Sequence, residues 1–289
     1  MTFETPPLVD PARAATDLYL DLLAGSLTRA LFEDSDRIVG IPTIEPAPVW
    51  VRLLDRLAPA LRRLNIEISI KRPYDHKRRE NGRDWPARAE TMTGLKRLAN
   101  ARFCVENVLE DGIPGDLIET GVWRGGMSIF MRGVLKAYGV TDRKVWLADS
   151  FQGLPAPDTA QYPSDAVLDL SEWGILSVGV DQVRHNFERY GLLDDQVQFI
   201  VGWFRDTLAN APLNDLAVLR LDGDLYESTI QALEPLYPKL SVGGYCIIDD
   251  YGTIEPCRTA VSDYRDAHGI SDAIVDIDGV GVFWRKSSP

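Results

Sequence analysis

Four carboxylates fall in two short runs, Asp222-Gly223-Asp224 and Asp249-Asp250. Each run closes an apolar stretch, Ala217-Val218-Leu219-Arg220-Leu221 and Tyr245-Cys246-Ile247-Ile248, with the length and composition of a buried strand. Acids gathered at the ends of neighbouring strands crowd negative charge into a small volume, which is costly unless a cation neutralises it. The donors are hard oxygens, a set that suits magnesium or calcium better than zinc. Readings without a metal stay open: Asp224 could cap the helix that follows, and Asp250 could face solvent.

Two further strands end in acids, Asp116–Glu119 and Lys144–Asp149. In an open parallel sheet, ligands sit outside the C-terminal strand ends, so one alternation gathers Glu119, Asp149, Asp222 and Asp249 at one rim. The first turn, Glu119-Thr120-Gly121-Val122-Trp123-Arg124-Gly125-Gly126, has glycines for a tight bend and close approach to a ligand. It is not GxGxxG, which disfavours a dinucleotide. It resembles the acid-x-G-x-G-x-G loop of S-adenosylmethionine enzymes, with Trp123 where a glycine is usual. A carboxylate at Asp149 can accept both ribose hydroxyls of a nucleoside.

The elements that must position these residues alternate from Gly115 onward. Helical stripes follow the strands: Met127 to Tyr138, Val180 to Tyr190, about Glu227 to Leu236, and Ile254 to Tyr264. A third strand reads at Gln198–Val201. Ala273–Ile277 and Gly281–Trp284 read as a terminal hairpin turning at Asp278-Gly279. The pattern predicts an α/β fold: a doubly wound, Rossmann-like sheet, mostly parallel with a C-terminal antiparallel hairpin. Residues 1–82 predict a helical N-terminal cap, and 83–289 the main domain. In the cap, Leu18 to Leu27 form one helix, with Thr16 able to cap it. Trp50 to Leu64 form a second, which Pro59 should kink or break. Prolines 6, 7, 11, 42, 46, 48 and 73 punctuate the rest. His76–Gly82 reads as an exposed, mobile loop.

A net charge of −12 disfavours nucleic acid and anionic membranes as partners. The N-terminus lacks a basic segment followed by an apolar run, and no stretch is long enough to span a bilayer. Cys104, Cys246 and Cys257 are far apart and form no CxxC, as in a cytoplasmic protein with reduced thiols.

The runs DLIETGVWRGG, VWLADSFQGLP, VGWFRDTL, LRLDGDLYEST, YPKLSVGG and IIDDYG resemble the macrocin and mycinamicin sugar O-methyltransferase family, with strongest likeness to its noviose-methylating, novobiocin-type branch. The likeness runs from about Gly82 to Trp284, and the segment from about Gly40 to Pro73 reads as an insertion. The resemblance implies a class I methyltransferase fold and S-adenosylmethionine as cofactor. Asp222, Asp249 and Asp250 would be magnesium ligands and Asp224 the general base. Glu119, Thr120, Gly121, Val122, Trp123, Ser128, Asp149, Ser150 and Asp222 would hold the cofactor, with Gly202 and Trp203 near its adenine. Gly82 to Thr93 matches the segment that closes over it. The acceptor would be a deoxysugar hydroxyl on a glycosylated natural product, and the chain a dimer or larger homo-oligomer. A catechol or other vicinal diol is the alternative acceptor. A metal-dependent glycosyltransferase is the alternative class, since Asp222-Gly223-Asp224 also fits a DxD pair.

Overall fold

The computed structural model describes residues 11–40 and 48–289. Pro6, Pro7, Pro42 and Pro46, and the reading of the first residues as lacking a leader, lie outside the described residues. Helix α1, Pro11–Leu27, begins five residues before Thr16, which therefore sits inside the helix and not at its cap. Its buried face is Leu20, Leu23 and Leu27, which join the main core, while Leu18 and Leu22 stay exposed. This part of the expected cap thus shares the core of the main domain.

A two-residue strand β1, Arg37–Ile38, pairs antiparallel with β2, Ser69–Ile70. Between them runs α2, Val49–Arg63, unbroken through Pro59. Asp55 on α2 accepts Arg37 Nη2 at 2.8 Å and the Gly40 amide at 2.7 Å, fastening the helix to β1. The segment read as an insertion is thereby closed at its base by a β-ladder.

His76–Gly82 is not the exposed loop expected from its charge. His76–Glu80 form helix α3, capped by the Asp75 carboxylate, which accepts the Arg78 amide at 3.1 Å. Arg79 is 1% exposed. Its Nε donates to both oxygens of Asp84, at 3.0 and 2.9 Å, and its terminal nitrogens donate to the Thr28 and Asp34 carbonyls. A run of like charges suggests solvation, yet one arginine with a full set of acceptors can be buried.

From α4, Leu95–Glu110, the chain alternates as expected. Strand β3, Asp116–Thr120, leads to α5, Gly126–Ala137. Next come β4, Val145–Asp149; α6, Val180–Arg189; β5, Val197–Val201; and the short α7, Phe204–Thr207. They are followed by β6, Leu216–Leu221; α8, Tyr226–Leu236; β7, Leu240–Ile248; α9, Glu255–Ala267; β8, Val275–Asp276; and β9, Val282–Arg285. The sheet order is β5-β4-β3-β6-β7-β9-β8, parallel except at β9, which runs antiparallel to both neighbours. This is the class I methyltransferase sheet. The chain winds outward through β4 and β5, then returns to the other side of β3 at β6, and that reversal opens a crevice at the strand ends.

Because successive strand residues face opposite ways, the sheet has two cores. One packs α1, α4, α5 and α6 against Leu117, Leu147 and Val218. The other packs α8 and α9 against Ile118, Leu219 and Cys246. Glu119 pairs in register with Arg220, so both side chains lie on the α4/α5 face. No helix among the described residues is long and apolar enough to cross a membrane.

Arg79→Ala should lower the unfolding free energy by about 3 kcal/mol, because it strands the largely buried Asp84 carboxylate and two carbonyls. Denaturant unfolding measures this, and a change below about 0.5 kcal/mol, the usual surface value, would mean the segment behaves as an exposed loop after all.

Candidate active site

The crevice between β3 and β6 opens into a cleft with about 110 Å³ of space for solvent-sized groups, open on one side. Gly121, Trp123, Asp149, Ser150, Trp203 and Asp222 reach its wall. The other residues expected to hold cofactor stand behind it. Thr120 offers its carbonyl to the Asp222 amide at 2.9 Å. Val122 is buried in the core, and Gly202 donates its amide to the Asp149 carbonyl at 2.9 Å. Ser128 donates to Glu119, which is 2% exposed and turned into the sheet.

The loop geometry follows from close packing. A Cβ on Gly121 would lie 1.6 Å from the Asp222 carbonyl oxygen, and the residue has φ +81°, so only glycine fits. Trp123 has φ 47°, which explains why glycine would suit that place. It is held by an indole N–H donated to the Ile175 carbonyl at 2.8 Å and by the Arg124 guanidinium 4.2 Å above its ring. Asp149 accepts the amides of Val122 and Phe151, each at 2.7 Å, which fixes its carboxylate at the end of β4. Burial raises its pKa, against the pull of those amides.

The acids gather around one guanidinium. Arg220, 1% exposed, donates to Glu119 Oε1 at 2.6 Å, to Asp222 Oδ2 at 3.0 Å and to Asp249 Oδ1. Arg97 donates to Asp249 Oδ2 and, at 2.9 Å, to Asp278 at the hairpin turn. Burial raises the pKa of Glu119 to about 7, only partly offset by Arg220. Burial and the neighbouring Asp249 charge raise Asp222 to about 6. Asp224 rises to about 7 through burial and the charges of Asp222 and Asp249. Burial also acts on Asp249, but Arg220 and Arg97 outweigh it and hold that acid below its ordinary value. Burial and the three other acids push Asp250 well above it.

Oxygens of Asp222, Asp249 and Asp250 lie within 4.8 Å of one another. Asp250 Oδ2 is fully shielded and has no hydrogen-bond partner among the described residues. With Asp278 counted, six acids share two guanidiniums, and one shielded oxygen has no donor among the described residues. A hard divalent cation fits that donor set, because it would satisfy the oxygen and reduce the excess charge together.

Asp224 does not cap the helix after it. The amides at the start of α8 go instead to Asp165, at 2.6 Å from Tyr226 and 3.0 Å from Glu227. Sequence reasoning missed Asp165, Arg97 and Arg220. Arg220 did carry a signal, a lone cation inside an apolar strand, whereas Asp165 and Arg97 carried none.

The macrocin O-methyltransferase family model (TylF) matches residues 16–286. The chain is 53% identical over 275 residues to an 8-demethyl-8-(2,3-dimethoxy-alpha-L-rhamnosyl)-tetracenomycin-C 4'-O-methyltransferase of Streptomyces olivaceus, covering 95% of this chain and 94% of that one. It is 46% identical over 275 residues to a mycinamicin III 3''-O-methyltransferase of Micromonospora griseorubida, covering 94% and 97%. Among solved structures, the O-methyltransferase NovP superposes with a TM-score of 0.81 at 45% identity, covering 94% of this chain and 100% of that one.

Gly121→Ala should destabilise the fold by about 3–5 kcal/mol, since backbone must move to admit one methyl group. Gly139→Ala, also at positive φ but with nothing within 4 Å of the added Cβ, should cost only about 1–2 kcal/mol. Equal losses in denaturant unfolding of the two variants would contradict the packing described for Gly121.

Proposed function

The chain belongs to the macrocin O-methyltransferase family and is an S-adenosylmethionine-dependent methyltransferase; from that premise we propose that, with magnesium bound, it methylates a hydroxyl of a deoxysugar on a glycosylated natural product of antibiotic biosynthesis. The sugar acceptor is supported by the relatives, whose names specify a rhamnosyl tetracenomycin and mycinamicin III as their substrates. The metal and the base are supported by one observation: the unpartnered, shielded Asp250 Oδ2 inside the Asp222/Asp249/Asp250 cluster, with Asp224 beside it.

Methyl transfer is an in-line displacement at a sulfonium, so most of the protein's task is placement. Asp149 would accept hydrogen bonds from the ribose hydroxyls of the cofactor, and Gly121 and Trp123 would carry the backbone past its amino-acid end. Trp203 would border the adenine, with Gly202 behind it fixing the loop to Asp149. Glu119, Thr120, Val122 and Ser128 act from behind the loop by fixing its path. Asp222, Asp249 and Asp250 would hold magnesium, which when bound supplies Lewis acidity toward a hydroxyl oxygen. Asp224 accepts the proton of that hydroxyl. The N-terminal region before residue 83 would cover the acceptor side, 83–289 would hold the chemistry, and the enzyme would assemble as a dimer or larger.

The test is a methylation assay by mass spectrometry with product mapping, using the tetracenomycin rhamnoside and mycinamicin III among a panel of glycosylated acceptors. Turnover should stop in excess chelator and return with magnesium. Asp224→Asn should lower kcat by roughly 10²–10⁴-fold with cofactor affinity almost intact. Methylation confined to catechols would overturn the sugar reading. Near-wild-type turnover in Asp224→Asn would remove Asp224 as the base.

A further inference from the structure

We propose that Asp165 is the positioning residue for the turn that carries Asp224, an inference that rests on the assignment of Asp224 as base. Asp165 lies in the long connection between β4 and α6, within the single-turn helix Pro163–Val167, and its side chain is wholly buried. It makes no ion pair among the described residues. Its two oxygens are aimed at the first two amides of α8, Tyr226 and Glu227. A buried carboxylate with no cation is held by such amides and by the positive end of the helix.

Why the cap comes from so far away follows from the local sequence. The residue before α8 is Leu225, fully buried in the core and unable to accept an amide. The residue before that is Asp224, in the left-handed region at φ 61°. There a non-glycine residue is strained and needs its surroundings to hold it. The turn is held by the Leu225 amide on the Gly223 carbonyl at 2.7 Å, by Ser228 Oγ on the same carbonyl, and by Asp165 on the two amides that follow. With capping done by Asp165, the Asp224 carboxylate accepts no hydrogen bond among the described residues and is left toward the cleft.

The same connection also lines the cleft through Gly153, Leu154 and Leu176, and its Ile175 carbonyl takes the Trp123 indole N–H. Asp165 is therefore the point at which the cleft's outer wall and the base-carrying turn are fastened together. Loss of that fastening lets the turn relax from its strained conformation and carries Asp224 away from the acceptor, while the Asp149 end of the site is untouched.

Two readouts test this on the full-length enzyme. Hydrogen exchange of peptides spanning 222–230 should quicken at least about tenfold in Asp165→Ala, locally and not across the sheet. With the panel acceptor that the wild type methylates, kcat should fall about 10²-fold in Asp165→Ala, the scale of an ångström-sized misplacement, with KM for S-adenosylmethionine within about threefold. Asp165→Asn, which keeps one acceptor oxygen, should recover part of both, and it carries the test where Asp165→Ala does not fold. A lower unfolding temperature with kcat and local exchange unchanged would make Asp165 a plain helix cap and overturn the proposal. Measured alongside, Asp224→Asn separates the two readings. If it is inactive while Asp165→Ala turns over normally, only the positioning role fails; if it is active, the base falls and the proposal with it.

Discussion

The Arg220 guanidinium is the interaction on which the site depends. It lies inside the sheet between Leu219 and Leu221 and beside Ile247 of β7, and such a charge is tolerated only when fully hydrogen-bonded. Its partners come from three adjacent strand ends: Glu119 of β3, Asp222 after β6 and Asp249 after β7. Strand register puts them there, because Glu119 stands directly opposite Arg220. One cation thus fixes the relative position of the glycine loop after β3 and the acids after β6 and β7. Arg97 extends the network by tying Asp249 to Asp278, which fastens the turn between β8 and β9 to the acid cluster.

That network leaves the site short of positive charge by design of its geometry. Both oxygens of Asp249 meet guanidiniums, one oxygen of Asp222 does, and Asp250 meets none. Only Asp249, which meets both arginines, is held below its ordinary value; burial and like charge raise the other four acids, Asp224 and Asp250 among them. Asp224 and Asp250 accept from neither arginine, and that is where a cation and an ionisable hydroxyl would meet. The rigid interior also explains how the cleft wall can use backbone strain at Trp123 and Asp224, since each strained residue is pinned by a neighbour from another segment.

Much of this was legible in the sequence because strands and their terminal acids repeat in one pattern. Alternation from Gly115 onward gave the sheet, and the acids after each apolar run gave the rim. What could not be read was the direction of each side chain. Glu119 looked like a ligand-facing acid, but it turns inward to Arg220, a pairing visible only once β3 and β6 are neighbours. The charge run at His76–Gly82 looked solvated, because nothing local announces the carbonyls of Thr28 and Asp34 that receive Arg79. Asp224 could be taken for a helix cap until Asp165, sixty-one residues before Tyr226, was seen in that role. Pro59 looked like a breaker but is carried within a continuous helix. In each case a contact remote in sequence overrode a local signal.

The central claim is that the acid cluster is completed by one divalent cation, and titration calorimetry of magnesium into chelator-treated enzyme tests it most directly. The account predicts saturable binding of one equivalent per chain, with a rise in unfolding temperature, and loss of that binding in Asp250→Asn while the fold persists. No saturable binding up to millimolar magnesium, together with full turnover in metal-free buffer, would contradict it.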